Sequence, residues 1–413
     1  MPADLKPREP LTLYYDGACP FCTAGMQGLA QRDMHRRLAF VDCSAPDYEG
    51  GPAPREALMR TLHARDAQGR VLTGVAALRA AQAATGPTLA DRLLALPGAA
   101  RCAEWLYPLL ARHRHRLPRW LAGAAPARPV TPADTQAYFT EVAQDYRAWS
   151  PGYNMHFGFW RAGINPLRRE AMLEEMNRAV GRALQLDGAQ AACVVDLGCG
   201  AGATARTLAA DHPALHVVAV SDVAAQHAIG RGLDARAGVA DRIAHLEADF
   251  ARTGLPAAQA DGAWAVESAC YAPGHDKRAF AAEAARLLKP GARLVVVDGF
   301  LLRRQPGRLA ARLHRLWADN WAVPTLAVRG DFVAALRAEG FEDVQVRSLR
   351  WRIAPSALHV PWLATRFTLA ELWKARGRLS PWRRKHIVAS YCALALGLFW
   401  RDFDYAMVTA RRA

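Results

Sequence analysis

No stretch of this 413-residue chain reaches the roughly 18 successive apolar residues that a membrane-spanning helix requires, and its N-terminus has charges and prolines where a secretory signal has an apolar core. The expectation is a cytoplasmic protein. A disulfide framework is also missing, because the eight cysteines are scattered through a large chain, as reduced thiols are. Two binding chemistries lack their signatures as well. No Gly-Lys-Ser/Thr ending follows the chain's glycine-rich loop, which counts against a phosphate-cradling Walker loop, and no second Cys-x-x-Cys or His-x-x-x-His stands at zinc-site spacing. No metal is expected.

What the chain does have is apolar bulk and positive charge. Apolar residues make up 52% of it, enough for cores in two or three domains at this length. The net charge of +15 is uneven: residues 301–413 hold 20 basic against 8 acidic side chains, whereas residues 123–300 hold 17 against 19. Such a C-terminal region suits anionic lipid, nucleic acid or acidic substrates, or is a solvated arginine-rich exterior. The solvated exterior is the reading taken for most of it, and no nucleic-acid partner is expected.

Glycine recurs at every second position in Val194-Val195-Asp196-Leu197-Gly198-Cys199-Gly200-Ala201-Gly202, between an apolar strand pattern and a helical stretch over Ala203 to Ala210. Glycines there let the backbone turn tightly and approach a ligand, and the helix that follows offers free N–H groups. Alone the pattern is weak, but a second buried-strand pattern, His216 to Val220, comes about twenty residues on, as nucleotide-binding α/β units require. Further strand and helix patterns continue to Asp298, with a turn at Lys289-Pro290-Gly291, and predict a doubly wound sheet. Its ligand belongs at the carboxyl ends of the strands, where Asp196, Ser221, Asp249 and Glu267 fall. NAD and S-adenosylmethionine are the two cofactors this leaves.

Near the N-terminus, the strand pattern Leu11 to Tyr15 breaks at Asp16-Gly17 and delivers Cys19-Pro20-Phe21-Cys22 to the start of a helix. This is a redox geometry: the first thiolate is stabilised by the helix N-terminus and attacks, and the second resolves the mixed disulfide. Cys19 is expected to be exposed and the more reactive of the two. Half of a zinc site is the alternative. The stretch Tyr14 to Cys22, with Asp66 to Ala77, resembles the DCC family of thiol-disulfide oxidoreductase-like proteins over residues 10 to 120. The resemblance implies a thioredoxin-like fold with Asp16, Cys19 and Cys22 as its site, and a thiol reductant or oxidant as partner.

The Pro/Ala-rich run 122–132 reads as an extended linker, which sets domains at 1–121 and 133–413. After it, Thr135 to Trp149 reads as a helix with Tyr138, Val142, Tyr146 and Trp149 on one face, followed by the aromatic segment Tyr153 to Trp160. These residues either pack on the next core or form a lid over a pocket.

Beside the glycine loop stand Glu247-Ala248-Asp249-Phe250, Ala265-Val266-Glu267-Ser268-Ala269-Cys270-Tyr271-Ala272-Pro273 and Leu287-Leu288-Lys289-Pro290-Gly291. Together these motifs resemble a class I S-adenosylmethionine-dependent methyltransferase over about residues 135 to 350, closest in look to the sterol, tocopherol and cyclopropane-fatty-acid group. The resemblance implies a Rossmann-like domain binding S-adenosylmethionine, with Gly198, Gly200 and Gly202 as the cofactor loop, Asp196 supporting the methionine end, and Asp249 and Phe250 on the adenine. Where many methyltransferases grip the ribose with an acid, this chain has Ser221 followed by Asp222, with Gln226 matching a glutamine of the lipid-type relatives. The family's histidine after the Glu-Ser motif is Tyr271 here.

A sulfonium methyl is already activated, so its transfer needs alignment, a dry site and a base for the leaving proton. Should the acceptor be an alkene, aromatic faces stabilise the resulting carbocation and a carboxylate quenches it. Glu267 is the candidate base, its alternative role being a structural carboxylate at the strand end. His156 and Tyr153 come next, their alternative being lid packing. The apolar segment Ile387 to Trp400, flanked by Arg383, Arg384 and Lys385, is a core helix or rests on a membrane surface. The resulting reading is methyl transfer to a small, apolar or lipid-like acceptor with an appended redox domain. Its alternative is a cofactor-binding redox sensor without turnover.

Overall fold

The computed structural model describes residues 11–30, 33, 37–45, 48–85, 99–114, 130–185, 192–374 and 380–413. The chain divides into two compact units, Met1–Arg128 and Pro129–Ala413. Most of the run expected to be a linker, 122–129, lies outside the described residues.

In the first unit, β1 (Leu11–Tyr15), α1 (Pro20–Ala30), β2 (Leu38–Asp42), α2 (Arg55–Arg60), β3 (His63–Arg65), β4 (Val71–Thr73), α3 (Gly74–Thr85) and α4 (Ala99–His113) follow in order. The sheet runs β2-β1-β3-β4, with β1 and β2 parallel and the other pairs antiparallel. This is the thioredoxin-like arrangement expected from the sequence. Leu13 on the central strand packs with Met26 and Leu29 of α1 and Ala77 and Ala81 of α3.

The second unit opens with α5 (Pro132–Val142), a 3-10 turn (Ala143–Asp145) and α6 (Tyr146–Trp149). The single helix expected over 135–149 is therefore broken. It also starts earlier, because Pro132 occupies the first helical position, where its missing N–H costs nothing, and Thr131 and Asp134 cap each other's backbone N–H groups in a capping box. The last residues assigned to the linker are thus a helix start. There follow α7 (Arg169–Leu184), β5 (Ala192–Leu197), α8 (Ala203–Asp211), β6 (Leu215–Ser221), α9 (Ala224–Ala237), β7 (Ile243–Glu247), β8 (Ala260–Val266), α10 (Arg278–Leu287) and β9 (Leu288–Leu301). The chain ends with α11 (Arg308–Asn320), β10 (Ala327–Val328), α12 (Arg329–Ala338), β11 (Phe341–Ser348), α13 (Arg350–Ala357), α14 (Val360–Lys374), α15 (Pro381–Leu396) and β12 (Phe403–Arg412).

The sheet order is β11-β12-β9-β8-β5-β6-β7, parallel from β9 to β7, with β12 and β11 antiparallel at the other edge. Both faces are covered, as the apolar β5, β6 and β9 require. Val195 and Leu197 face Phe280 of α10 and Phe332 of α12, while their neighbour Val194 faces Met176 and Val180 of α7 and Leu208 of α8. The turn expected at Lys289-Pro290-Gly291 is instead an irregularity inside β9, where the register with β8 jumps from Leu288 to Arg293. The reversal of strand order at β5 and β8 opens a crevice at their carboxyl ends.

Candidate functional site

That crevice is the floor of one cavity of about 930 Å³. On the β5 side, Asp196, Gly198 and Gly200 line it, joined by Ser221, Asp222 and Gln226 from β6 and α9 and by Asp249 and Phe250 after β7. Gly200 has φ +54, in the left-handed region that strains any other residue, and an added Cβ would stand 3.0 Å from the Met155 sulfur, which would have to shift. Gly202 does not line the cavity. It sits at the N-terminus of α8 with φ +75, near Arg206 and Asp234, and turns the chain into the helix.

Asp196 is buried, and its Oδ2 has no hydrogen-bond partner among the described residues. Burial pushes its carboxyl up to about 7, opposed by the Trp264 indole, whose N–H points toward it but falls outside hydrogen-bond geometry and is itself unpaired among the described residues. An unsatisfied buried carboxylate in a cavity wall is costly unless a ligand brings it a cation or donor. Ser221 is not open to a ligand in the way an acid would be: its hydroxyl donates to Gln226 Oε1 at 2.9 Å and accepts from the Val223 N–H. The Asp222 carboxyl is pushed up by burial and by Asp249 and Glu247, while its carbonyl accepts from Gln136 of α5 at 2.8 Å.

The aromatic segment does cover the cavity. Phe157 N–H donates to Glu267 Oε1 at 2.7 Å, Gly158 N–H to Ser356 Oγ at 2.9 Å, and Trp160 N–H to the Arg352 carbonyl at 2.7 Å. Gly158 has to be glycine, since a Cβ there would meet the Met172 backbone at 2.7 Å. Glu267 also accepts from the Tyr405 hydroxyl at 2.6 Å. Its backbone has φ +50, rare for a residue with a side chain. Burial raises its carboxyl to about 7, the two hydrogen bonds opposing the rise. It therefore both ties the lid and faces the cavity.

His156 lines the cavity with both nitrogens facing acceptor oxygens, Nε2 at 2.9 Å from Asn177 Oδ1 and Nδ1 at 3.0 Å from the Phe157 carbonyl, and a neutral ring donates to one of them. Burial lowers its pKa. As a base for the acceptor it is the weaker candidate, and as an anchor of the lid it is fully employed. Tyr153 lies on the cavity wall with φ +58.

Several cavity residues were not singled out by sequence. Asp298, at the end of β9, is buried and pushed up to about 6, with its carboxylate accepting from the Cys270 and Gly299 N–H groups. His386 on α15 sits in a cage of Tyr138, Tyr146, Trp149, Trp321 and Phe367, with Nδ1 at 2.5 Å from the Tyr138 hydroxyl. Burial drives its pKa down to about 4, so the ring is neutral. A histidine directly after Arg383-Arg384-Lys385 has no local signature that could have marked it as a cavity residue. Among the described residues no cluster of three or more His, Cys, Asp or Glu side chains is placed to hold a metal ion.

In the first unit the thiols are not arranged as expected. Cys19 is completely buried at the head of α1, its N–H donating to the Asp16 carbonyl, whereas Cys22 is half-buried. Burial, then the neighbouring Cys19, push the Cys22 thiol up to about 12. Asp16 is buried too and pairs with Arg114 of the segment after α4 at 3.1 Å, a guanidinium close enough to Cys22 to oppose that rise. The expectation of an exposed Cys19 is overturned: the strand end seats its side chain inward, and Cys22 is the accessible sulfur.

Comparison with known proteins separates the same two parts. Residues 13–120 match the DCC1-like thiol-disulfide oxidoreductase family, and residues 194–291 match a methyltransferase domain family. An O-methyltransferase of Penicillium expansum, cnsE, is 30% identical over 231 residues, 56% of this chain and 80% of that one. A probable chloroplastic tocopherol O-methyltransferase of Oryza sativa subsp. japonica is 28% identical over 215 residues, 49% of this chain; the chain spans 58% of that relative's length. Among solved structures, the cyclopropane synthase MmaA2 of Mycobacterium tuberculosis aligns with a TM-score of 0.56 at 16% identity, over 68% of this chain and 99% of that one. This last likeness is one of fold.

Proposed function

The chain belongs to the S-adenosylmethionine-dependent methyltransferases of class I, and from that premise we propose that it methylates a small, uncharged, apolar or lipid-like acceptor. The observation that carries this is the continuity of the 930 Å³ cavity, which joins an unsatisfied carboxylate and a glycine loop to a wall of aromatic rings. The residues fit the cofactor: Asp196 offers its free oxygen to an ammonium group, Gly198 and Gly200 leave room for close approach, and Phe250 with Asp249 borders the adenine side. S-adenosylmethionine supplies an electrophilic methyl group when bound. The lid then excludes water, and Phe139, Tyr146, Trp317 and Trp321 hold the acceptor by apolar contact.

Glu267 takes the proton the acceptor gives up, or offsets positive charge that develops on it. With a pKa near 7 it is poised for either protonation state at neutral pH. In the first unit, Cys19 and Cys22 exchange with an external thiol reductant or oxidant, Cys22 meeting the partner first.

The test incubates the pure protein with methyl-labelled S-adenosylmethionine and an apolar cell extract. Label in organic-soluble product supports the reading. Label confined to water-soluble acceptors would overturn the acceptor class, and cofactor binding without any turnover would leave a cofactor-binding redox sensor.

A further inference from the structure

Helix α14 carries large apolar side chains on two opposite faces, and the outer one is left uncovered. Val360, Ala364 and Phe367 point inward. On the opposite side Trp362, Leu369 and Trp373 form an exposed row, at spacings of 7 and 4 residues that hold one helical face, and Trp351 of α13 and Leu358 in the turn between the two helices are exposed as well. The three tryptophans are 81, 67 and 87% exposed. Trp351 and Leu358 also line the cavity, beside exposed Leu398 and Trp400, so exposed apolar side chains border the cavity next to α14.

The charge around this face has one sign. Among the described residues of 350–401 there are eight basic side chains and one acidic, Glu371, and the buried Asp402 and Asp404 that follow are already paired with arginines. That glutamate is buried and already paired with Lys374 at 2.8 Å and Arg383 at 3.4 Å. Arg366 stands exposed within the row, and Arg350 and Arg401 lie over the Trp400 ring. No helix among the described residues is long and apolar enough to cross a membrane.

We propose that this face docks on an anionic lipid surface, with the tryptophans at headgroup level, the arginines on lipid phosphates, and the cavity mouth opening toward the acyl region. Tryptophan favours that boundary because its ring is apolar with one polar edge, and basic residues add attraction to negative lipids. A second copy of the chain fits less well, since two faces of this net charge repel each other. The inference stands on the surface alone and does not require the cofactor reading.

The experiment is flotation of the full-length protein with phosphatidylcholine vesicles, with and without phosphatidylglycerol as about one quarter of the lipid. Binding is expected with the anionic vesicles, weakening as salt rises, together with a blue shift of tryptophan emission. The triple variant Trp362→Ser/Leu369→Ser/Trp373→Ser, which leaves the cavity lining intact, should bind the vesicles about tenfold or more weakly, while its calorimetric affinity for S-adenosylmethionine matches that of wild type. No binding to anionic vesicles by a protein that does bind the cofactor would overturn the proposal and leave the methyltransferase reading standing. So would equal binding by the variant, or a wild-type dimer that the variant turns into a monomer.

Discussion

At the scale of single residues, the cavity makes sharp demands. Gly200→Val puts a branched side chain where φ is +54 and the Met155 sulfur is 3.0 Å from the first added carbon, so a folded variant should lose at least about tenfold in cofactor affinity. Calorimetry on protein whose circular dichroism is native checks this. Glu267→Gln keeps an oxygen for the Phe157 N–H and the Tyr405 hydroxyl but loses the charge. Turnover should fall about a hundredfold with the Michaelis constant for the cofactor little changed. In wild type, turnover should rise with pH through about 7 as the carboxyl deprotonates, and a Gln variant with near-normal turnover and the same pH profile would return Glu267 to a purely structural role. For the thiols, alkylation should mark Cys22 before Cys19, because Cys19 is completely buried, but slowly at neutral pH, because the Cys22 thiol is raised to about 12. Equal labelling of both in the native protein would contradict that seating.

At the scale of elements, what was legible in the sequence was what repeats locally. Strands β5 and β6, the glycine loop and α8 follow from apolar alternation and from glycines placed where a turn must occur, and they were located to within a residue or two. Features set by distant partners were not. Cys19 has the sequence neighbourhood of an exposed nucleophile, but the β1 end and Asp16 turn it inward. Gly202 belongs to the loop's pattern but its φ serves the helix start. His386 gains its meaning from rings on α5, α6 and α14 and from Trp321 just after α11. The start of α5 at Pro132 is an exception, since its capping box is local chemistry that the sequence does carry in Thr131, Pro132 and Asp134. That box can be tested as an element. Thr131→Ala removes the cap on α5, and chemical denaturation should show a loss of about 1 kcal/mol. Gln136, one turn further on, holds the Asp222 carbonyl beside the cavity, so slackening α5 should also raise the Michaelis constant for the cofactor.

At the scale of the whole molecule, the cavity stores carboxyl groups that the unliganded fold does not favour. Asp196 is held near 7 by burial, against an unfolded value of about 3.9. Its folded pKa lies above the unfolded one, so its contribution to stability is fully present below about pH 4 and is lost as pH rises through 7. Glu267 and Asp298, also raised, act in the same direction. His156, His314 and His386 act oppositely, because burial lowers them and their contribution grows as pH rises toward 6.5. These opposed trends cancel when wild type is compared with Asp196→Asn, which keeps the shape and cannot ionise. The variant should melt higher than wild type, by about 2 °C or more above pH 7 and by progressively less toward pH 4. Such a carboxylate is retained against stability only if a ligand needs it. The same variant should therefore bind S-adenosylmethionine more weakly, and a variant that is stabilised at high pH with undiminished cofactor affinity would show that the free oxygen of Asp196 serves something other than the cofactor.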